Sequence, residues 1–578
     1  MAGGTERMDW RNIDNGWEIP TEYYSDQPYV VKADDGSWVC CLTTGEAREG
    51  MPGQYIATMT STDQGRTWAN ANRMEPAGSP ENSYSVLLKT HFGRIYCFYN
   101  FNKDNIRELI ANDPPFEDGI CKRVDSQGYY CFRYSDDHGK TWSEERGEVP
   151  IRRFKIDYEN PYNGEIMFFW NVGKPLIDGN DAYLSIHKVG ELGEGYFSKS
   201  EGVLVKSSNI MTEHDIEKLK FETLPDGDIG LRSPKGGGPI SEEQSYVCLS
   251  DGSFFAVFRT IDGRAAFTYS RDKGHTWDAP SYMPVKNPRA ANFVWKLDSG
   301  DFLYWFHNHG GKWYDDRNPV WCLAGSEKEG VDGRIIEWSQ PEILLYLDDP
   351  YTRISYPDLI QDKGITYITE TQKDIGRTHP VDSKFLKKLL SWKTASKVAE
   401  NGLIFSGSAE QQKVPNPSPF LEFAHIGPAS LTGEIRSGFS IDFWLSDMSD
   451  VSAIIYDNRK ADGSGINICT TKDGRVRFEM SDGMSVSSWE SDSDRITDGD
   501  NHIAIIIDGG PKVISFIING KFNDGGNSRQ YGWGRFNPNQ RHANGCEEAK
   551  INKNIKVLRI YDRVLMSIEA CSNYRAGV

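Results

Sequence analysis

Three octads, STDQGRTW at Ser61–Trp68, SDDHGKTW at Ser135–Trp142 and SRDKGHTW at Ser270–Trp277, decide how this chain is read. Each follows a β-prone run (QYIATMT, YYCFRY, AAFTY), so each marks a tight turn at the end of a strand. The serine opens the turn and Asp63, Asp137 and Asp272 accept backbone N–H groups inside it. Gly65, Gly139 and Gly274 supply a left-handed position, and the closing tryptophan plugs the turn against the sheet. A turn repeated this way is scaffold, whereas a catalytic site needs different residues from different repeats. The starts at 61, 135 and 270 leave room for one degenerate copy, KSSN at Lys206–Asn209.

A second device recurs beside the octads, a strand, a tight turn and another strand. It is seen at Tyr29–Thr43, Val86–Tyr99, Tyr246–Arg259, Phe293–Phe306 and Leu359–Glu370, with Asn163–His187 as a looser version. Each is the inner hairpin of a propeller blade. The expectation is an all-β chain, a six- or seven-bladed β-propeller over residues 8–400 followed by a jelly-roll β-sandwich over 415–578. Ser383–Ala399 has the spacing of an amphipathic helix where a last blade would finish, so the N-terminal segment is expected to supply the outer strand that closes the ring. The length of 578 residues exceeds what one core supports.

A formal net charge of −18 sets nucleic acid and anionic membranes aside as partners. No apolar run is long enough to span a membrane, and MAGGTERMDW has no apolar signal core. The ten cysteines show no metal-ligand spacing and read as buried free thiols, with a Cys546–Cys571 disulfide as the lesser alternative.

The octads and hairpin turns mark one face of the ring, so chemistry is sought on the other, where first strands begin and second strands end. Second-strand ends give Tyr99, Asn100, His187, Lys188, Arg259, His307, His309 and Glu370. First-strand starts add Arg289, Asn292, Arg353 and Tyr356, and the loop after the fifth hairpin adds Trp313, Tyr314 and Arg317. Guanidinium groups facing a shared cavity imply a ligand carboxylate. His307 and His309 have a spacing that could hold a metal, but no third ligand is identifiable, so no metal site is assigned.

The octads with their hairpins resemble the Asp-box (BNR) repeat of sialidase-superfamily propellers over residues 20–400. That resemblance implies a carbohydrate-active enzyme, and two chemistries remain open. A sialidase needs an arginine triad, a Tyr activated by a Glu and an Asp acid, and the pair would be Tyr356 with Glu370. Sialidases also share an Arg-Ile-Pro element before the first blade, where this chain has SDQPYVV. The other reading, and the one favoured here, resembles propeller-fold uronate lyases such as L-rhamnose-α-1,4-D-glucuronate lyase, which act by β-elimination. Arg259 and Arg353 would then hold the carboxylate, His307 or His187 would be the base, and Tyr356 or the other histidine would assist the leaving group. Arg289, His309, Glu370, Trp313 and Arg317 complete the expected substrate-binding set. A non-catalytic glycan-binding propeller is the third reading. The expected protein is a secreted monomer acting on a glycan that bears a carboxylate, without organic cofactor, any metal being structural Ca²⁺.

After Gln411–Phe420 the pattern changes to strands with glycine turns: GFSIDFWL, DGRVRFEM, DGDNHIAIIID, SFIINGK and KVLRIYDRVLMSIEA. Their order resembles laminin-G or concanavalin-like modules. Trp444 falls in an alternating core strand and reads as packing rather than a sugar platform.

Overall fold

The computed structural model describes residues 9–111, 118–192, 197–411, 413–417, 421, 438–446, 453–493, 496 and 499–578. Residues 412 and 418–420 of the Gln411–Phe420 linker therefore lie outside the described residues.

Six antiparallel sheets form the propeller. Their first strands are Tyr24–Lys32, Asn82–Lys89, Phe169–Asn171, Glu242–Cys248, Phe293–Lys296 and Ser355–Asp362. Neighbouring blades are stitched near the axis. The Ser245 hydroxyl bonds the Val294 backbone, Ser185 Oγ donates to Gln244 O at 2.8 Å, and Val30 N donates to Asp358 Oδ2 at 2.8 Å. There is no seventh blade among the described residues. The ring closes with Trp17–Ile19, which pairs antiparallel with Gly376–Pro380 as the outer strand of blade six. The helix that follows is shorter than its sequence pattern, Ser383–Leu390, capped by Asp382.

The octads occupy the turns between third and fourth strands of blades one, two and four. Asp137 shows why. Its Oδ1 accepts from Thr141 N at 2.9 Å and its Oδ2 from Thr141 Oγ1 at 2.7 Å, while Ser135 Oγ accepts from Gly139 N at 2.8 Å. The same bonds recur around Asp63 and Asp272.

A different irregularity opens four first strands. The pairing register slips at Asp26/Tyr29, Ser83/Val86, Glu242/Ser245 and Ser355/Asp358. In each slip one non-glycine residue is left-handed: Gln27 (φ 54°), Tyr84 (φ 57°), Glu243 (φ 55°) and Tyr356 (φ 47°). Such a bulge breaks side-chain alternation and re-aims consecutive residues. Both Glu242 and Glu243 consequently reach the same Arg259.

The C-terminal sandwich packs a sheet ordered Leu403–Gly407, Ile555–Tyr561, Gly438–Ser446, Asp500–Asp508, Val513–Ile518 and Lys521–Phe522 on a five-stranded sheet. Phe439, Ile441, Phe443, Ile505 and Ile507 face Ile466, Ile468, Phe478 and Met480 in its core. The alternate residues Ala504 and Ile506 face the other way and join Trp321, Phe306 and Trp533 in a cluster shared with the propeller. KVLRIYDRVLMSIEA is not one strand. The strand ends at Tyr561 and Ser567–Ala576 is a helix, its entry fixed by Glu569 accepting from Met566 N at 3.0 Å. Trp444 stacks on Tyr574 of that helix, with centroids 5.7 Å apart. All ten cysteines are free, so Cys546 and Cys571 are not bonded to each other.

Candidate functional site

The bulged first strands of blades four and six bring Glu243 and Tyr356 together: Tyr356 Oη donates to Glu243 Oε1 at 2.8 Å. Arg259, ending the second strand of blade four, places Nη1 2.8 Å from Glu243 Oε2 and Nη2 2.9 Å from Glu242 Oε1. Arg289 Nε donates to the same Glu242 oxygen at 2.8 Å. Burial favours the neutral acid at both glutamates, but they part company. Arg259 and Arg289 hold Glu242 down at about 2. Glu243 is raised above the ordinary carboxylate range, by burial first and by Glu242 beside it. Burial and Glu243 likewise push Tyr356 up to about 12, against Lys373, Arg259 and Arg317.

Arg317 is only 1% exposed and donates from Nη1 to Ser355 Oγ at 2.8 Å and from Nε to Tyr314 O at 2.7 Å. Burial and then Arg353 bring its guanidinium down to about 10, the mark of cations crowded without enough anions. Among the described residues, Arg353 Nε is buried without an acceptor.

Lys373, just beyond the second strand of blade six, links this group to the far side of the centre. Its Nζ stands 4.3 Å from the centroid of the Tyr356 ring, 2.8 Å from Asp26 Oδ2 and 3.1 Å from Glu49 Oε2. Glu49, from the loop after the second strand of blade one, also meets Arg123 at 3.0 Å. Against a burial cost, Lys373, Arg123 and Arg353 keep its carboxyl well below the ordinary range. Asp26 accepts from Tyr24 Oη at 2.8 Å, so at SDQPYVV the chain presents a paired carboxylate.

Of the residues singled out in the sequence, Arg259, Arg289, Arg317, Arg353 and Tyr356 meet here, with Tyr314 packed under Arg289 at 4.9 Å. Trp313, 53% exposed, sits on the same loop. Glu370 and the three histidines take other places. Glu370 does not pair with Tyr356: its carboxylate meets His379 Nε2 at 2.9 Å and the Gln372 amide. The first-strand bulge hands Tyr356 to Glu243 instead. His187 is fully buried against Trp170, and its Nδ1 accepts the Glu243 backbone N–H at 3.2 Å. That makes it a support of the glutamate from below. His307 is fully buried as well, and burial pushes both rings well below the ordinary histidine range. His309 stacks on Tyr531 of the sandwich and bonds Asp316 O at 2.8 Å; burial takes it to about 4. No group of three or more His, Cys, Asp or Glu among the described residues could hold a metal.

Glu242, Glu243, Glu49, Asp26 and Lys373 escaped the sequence reading. The first-strand rule that gave Arg289 and Tyr356 would also have given Glu242, Glu243 and Asp26 had it been applied to blades four and one.

A BNR repeat-like domain matches residues 226–368. No curated protein matches the chain. Similar solved structures include a protein of unknown function from Dyadobacter fermentans (15% identity, TM-score 0.46, 63% of this chain and 97% of that one). The intramolecular trans-sialidase from Ruminococcus gnavus is 14% identical, with a TM-score of 0.44, 64% of this chain and 96% of that one covered. Trypanosoma rangeli sialidase is 11% identical with a TM-score of 0.43, covering 100% of this chain and 99% of that one. Likenesses of that strength say nothing about substrate.

Proposed function

We propose that this protein is a carbohydrate-active enzyme that cleaves the glycoside of a sugar bearing a carboxylate, by a retaining mechanism with Tyr356 as nucleophile. The observation that carries the reading is the 2.8 Å bond from Tyr356 Oη to Glu243 Oε1 inside a ring of arginines. As Tyr356 Oη bonds to the anomeric carbon, its proton passes to Glu243, whose raised affinity for protons suits it to the task. Lys373, Arg259 and Arg317 stabilise the charge developing on the phenol oxygen. A neutral phenol also approaches an anionic sugar without the repulsion a carboxylate nucleophile would meet. Arg317 and Arg353 take the substrate carboxylate. The departing oxygen takes its proton from Asp26, whose carboxyl burial raises above the ordinary range against Lys373. Water then displaces Tyr356, giving one proton to the carboxylate left at Asp26, while Glu243 returns the phenol proton.

β-Elimination at a uronic acid, as in rhamnosyl-glucuronate ends, stands as the second reading, with Tyr356 rather than a histidine as base. The SDQPYVV stretch favours it: where sialidases share an Arg-Ile-Pro element, this chain places Asp26, a carboxyl bonded to Lys373 and raised above its ordinary range by burial, so the centre suits an acidic sugar other than sialic acid. The laminin-G-like sandwich, secretion, a monomeric state and the absence of an organic cofactor belong to the same proposal. The test is incubation with sialyllactose and, separately, gum arabic oligosaccharides, following released sugar, ultraviolet absorbance and product mass. Hydrolysis releases sugar without absorbance. A product lighter by one water that absorbs as a C4–C5 unsaturated uronate replaces hydrolysis by elimination, and no turnover on any acidic glycan defeats both.

A further inference from the structure

Where the propeller meets the sandwich lies a cleft of about 300 Å³ that the chemistry above does not use. Asp316 and Tyr351 line it from the propeller, and Trp489, Tyr531, Trp533 and Arg535 from the sandwich. Its polar groups are already matched. Asp316 Oδ2 accepts from Tyr531 Oη at 2.5 Å, while Arg535 donates to Asn318 O at 2.5 Å and to Pro511 O at 2.9 Å. The Trp533 indole N–H is taken by Asn308 O at 2.9 Å. With these donors and acceptors engaged inside the protein, the cleft offers flat aromatic faces and hydrogen-bonding edges to a neutral guest. Tyr351 is 84% exposed, held there on the Asp349 turn rather than packed.

The cleft and the centre are built by the same two loops. Asp316 turns to the cleft while its neighbour Arg317 turns to Ser355. Tyr351 lines the cleft, and Arg353 and Tyr356 follow it into the centre. A glycan whose acidic end occupies the centre would cross these loops and meet the cleft next.

We infer that this cleft is a second sugar-binding site, taking a neutral pyranose of the glycan chain, whose C–H face stacks on Tyr351 and Trp489 while its hydroxyls reach Asp316 and Arg535. Its role as a subsite rests on the reading of the centre given above; its binding does not. The test uses the full chain and three neutral probes, lactose, cellobiose and maltotriose, read by saturation-transfer NMR and tryptophan fluorescence. At least one should transfer saturation to its ring C–H protons. Tyr351→Ala and Trp489→Ala should each weaken that binding about tenfold, and Tyr356→Phe should leave it unchanged. Because Trp489 packs on Gly534, exposed Tyr351 is the deciding variant and Trp489→Ala is paired with a melting curve. In turnover of an extended substrate Tyr351→Ala should raise KM and spare kcat, with neither changed on a short aryl glycoside. Absence of binding by every probe, or binding indifferent to Tyr351→Ala, overturns the site. Binding that persists in a protein inactive on all acidic glycans removes the reading of the centre and keeps the cleft.

Discussion

Tyr356 is held with φ 47°, a conformation that costs a bulky residue roughly 1–3 kcal/mol, and Glu243 is held with φ 55° opposite it. Both are fixed by bulges between paired strands, so the Tyr–Glu bond is preorganised rather than assembled on binding. The roles proposed for the two residues have separable consequences. Tyr356→Phe removes the attacking oxygen and leaves the ring over Lys373, so it should abolish turnover and retain affinity for an acidic sugar. Glu243→Gln keeps the shape and loses the base, so kcat should fall by about 10²–10⁴ with KM little changed. A carboxyl raised above its ordinary range must be deprotonated to accept the phenol proton, so the acid limb of the wild-type pH–rate profile should lie above about 4.3. It should vanish in Glu243→Gln. A limb at the ordinary glutamate value, or one that survives the substitution, argues against Glu243 as base.

The octad and the bulge are elements of opposite legibility. The bonds that shape the octad's turn lie within eight residues, Asp137 answering Thr141 and Ser135 answering Gly139, so local sequence reports the turn and, through its repetition, the propeller. The bulge is an absence of alternation over two residues, and its product joins positions 113 apart on non-adjacent blades, a pairing that no local pattern carries. That is why Arg259, Arg289, Arg353 and Tyr356 are legible as strand ends and Arg317 as a residue of the loop after the fifth hairpin, while the partner of Tyr356 is Glu243 and not the Glu370 that strand ends suggest. The octad's energetic role follows from its geometry. Asp137→Ala removes two accepted bonds from Thr141, and its stability should drop by about 1–2 kcal/mol in urea titrations, with kcat and KM unmoved. Hydrogen bonds to Thr141 and Ser135 depress the Asp137 pKa despite partial burial. The stabilisation is therefore full above the unfolded value near 3.9 and is lost as pH falls through the lower folded value. A variant as stable as wild type near neutral pH would deny the turn its structural role.

At the scale of the whole molecule, propeller and sandwich share one apolar cluster and a few buried charges. Arg11, ahead of the first blade, bonds both oxygens of Asp508 in the sandwich, at 2.8 and 3.0 Å. Glu342 of blade five accepts Ser567 N at 2.6 Å, at the first turn of the C-terminal helix. The anion there is not favoured on balance. Burial outweighs the Ser567 N–H and Arg11, and pushes Glu342 up to about 8, against about 4.3 in an unfolded chain. Between those two values the folded protein keeps a proton that the unfolded chain has released. The contribution of Glu342 is thus complete at low pH and lost as pH rises to about 8, by up to about 1.4 kcal/mol per pH unit. Glu342→Gln presents nearly the same neutral group, accepting from Ser567 through its carbonyl, and cannot ionise. It should match wild type near pH 4 and become the more stable protein as pH climbs towards about 8. The difference in denaturation midpoint between the two, followed across that range, isolates this one carboxyl from the many surface acids whose pH dependence runs the other way. A difference that stays flat with pH would mean Glu342 is ionised at the junction and paired more tightly than its surroundings imply.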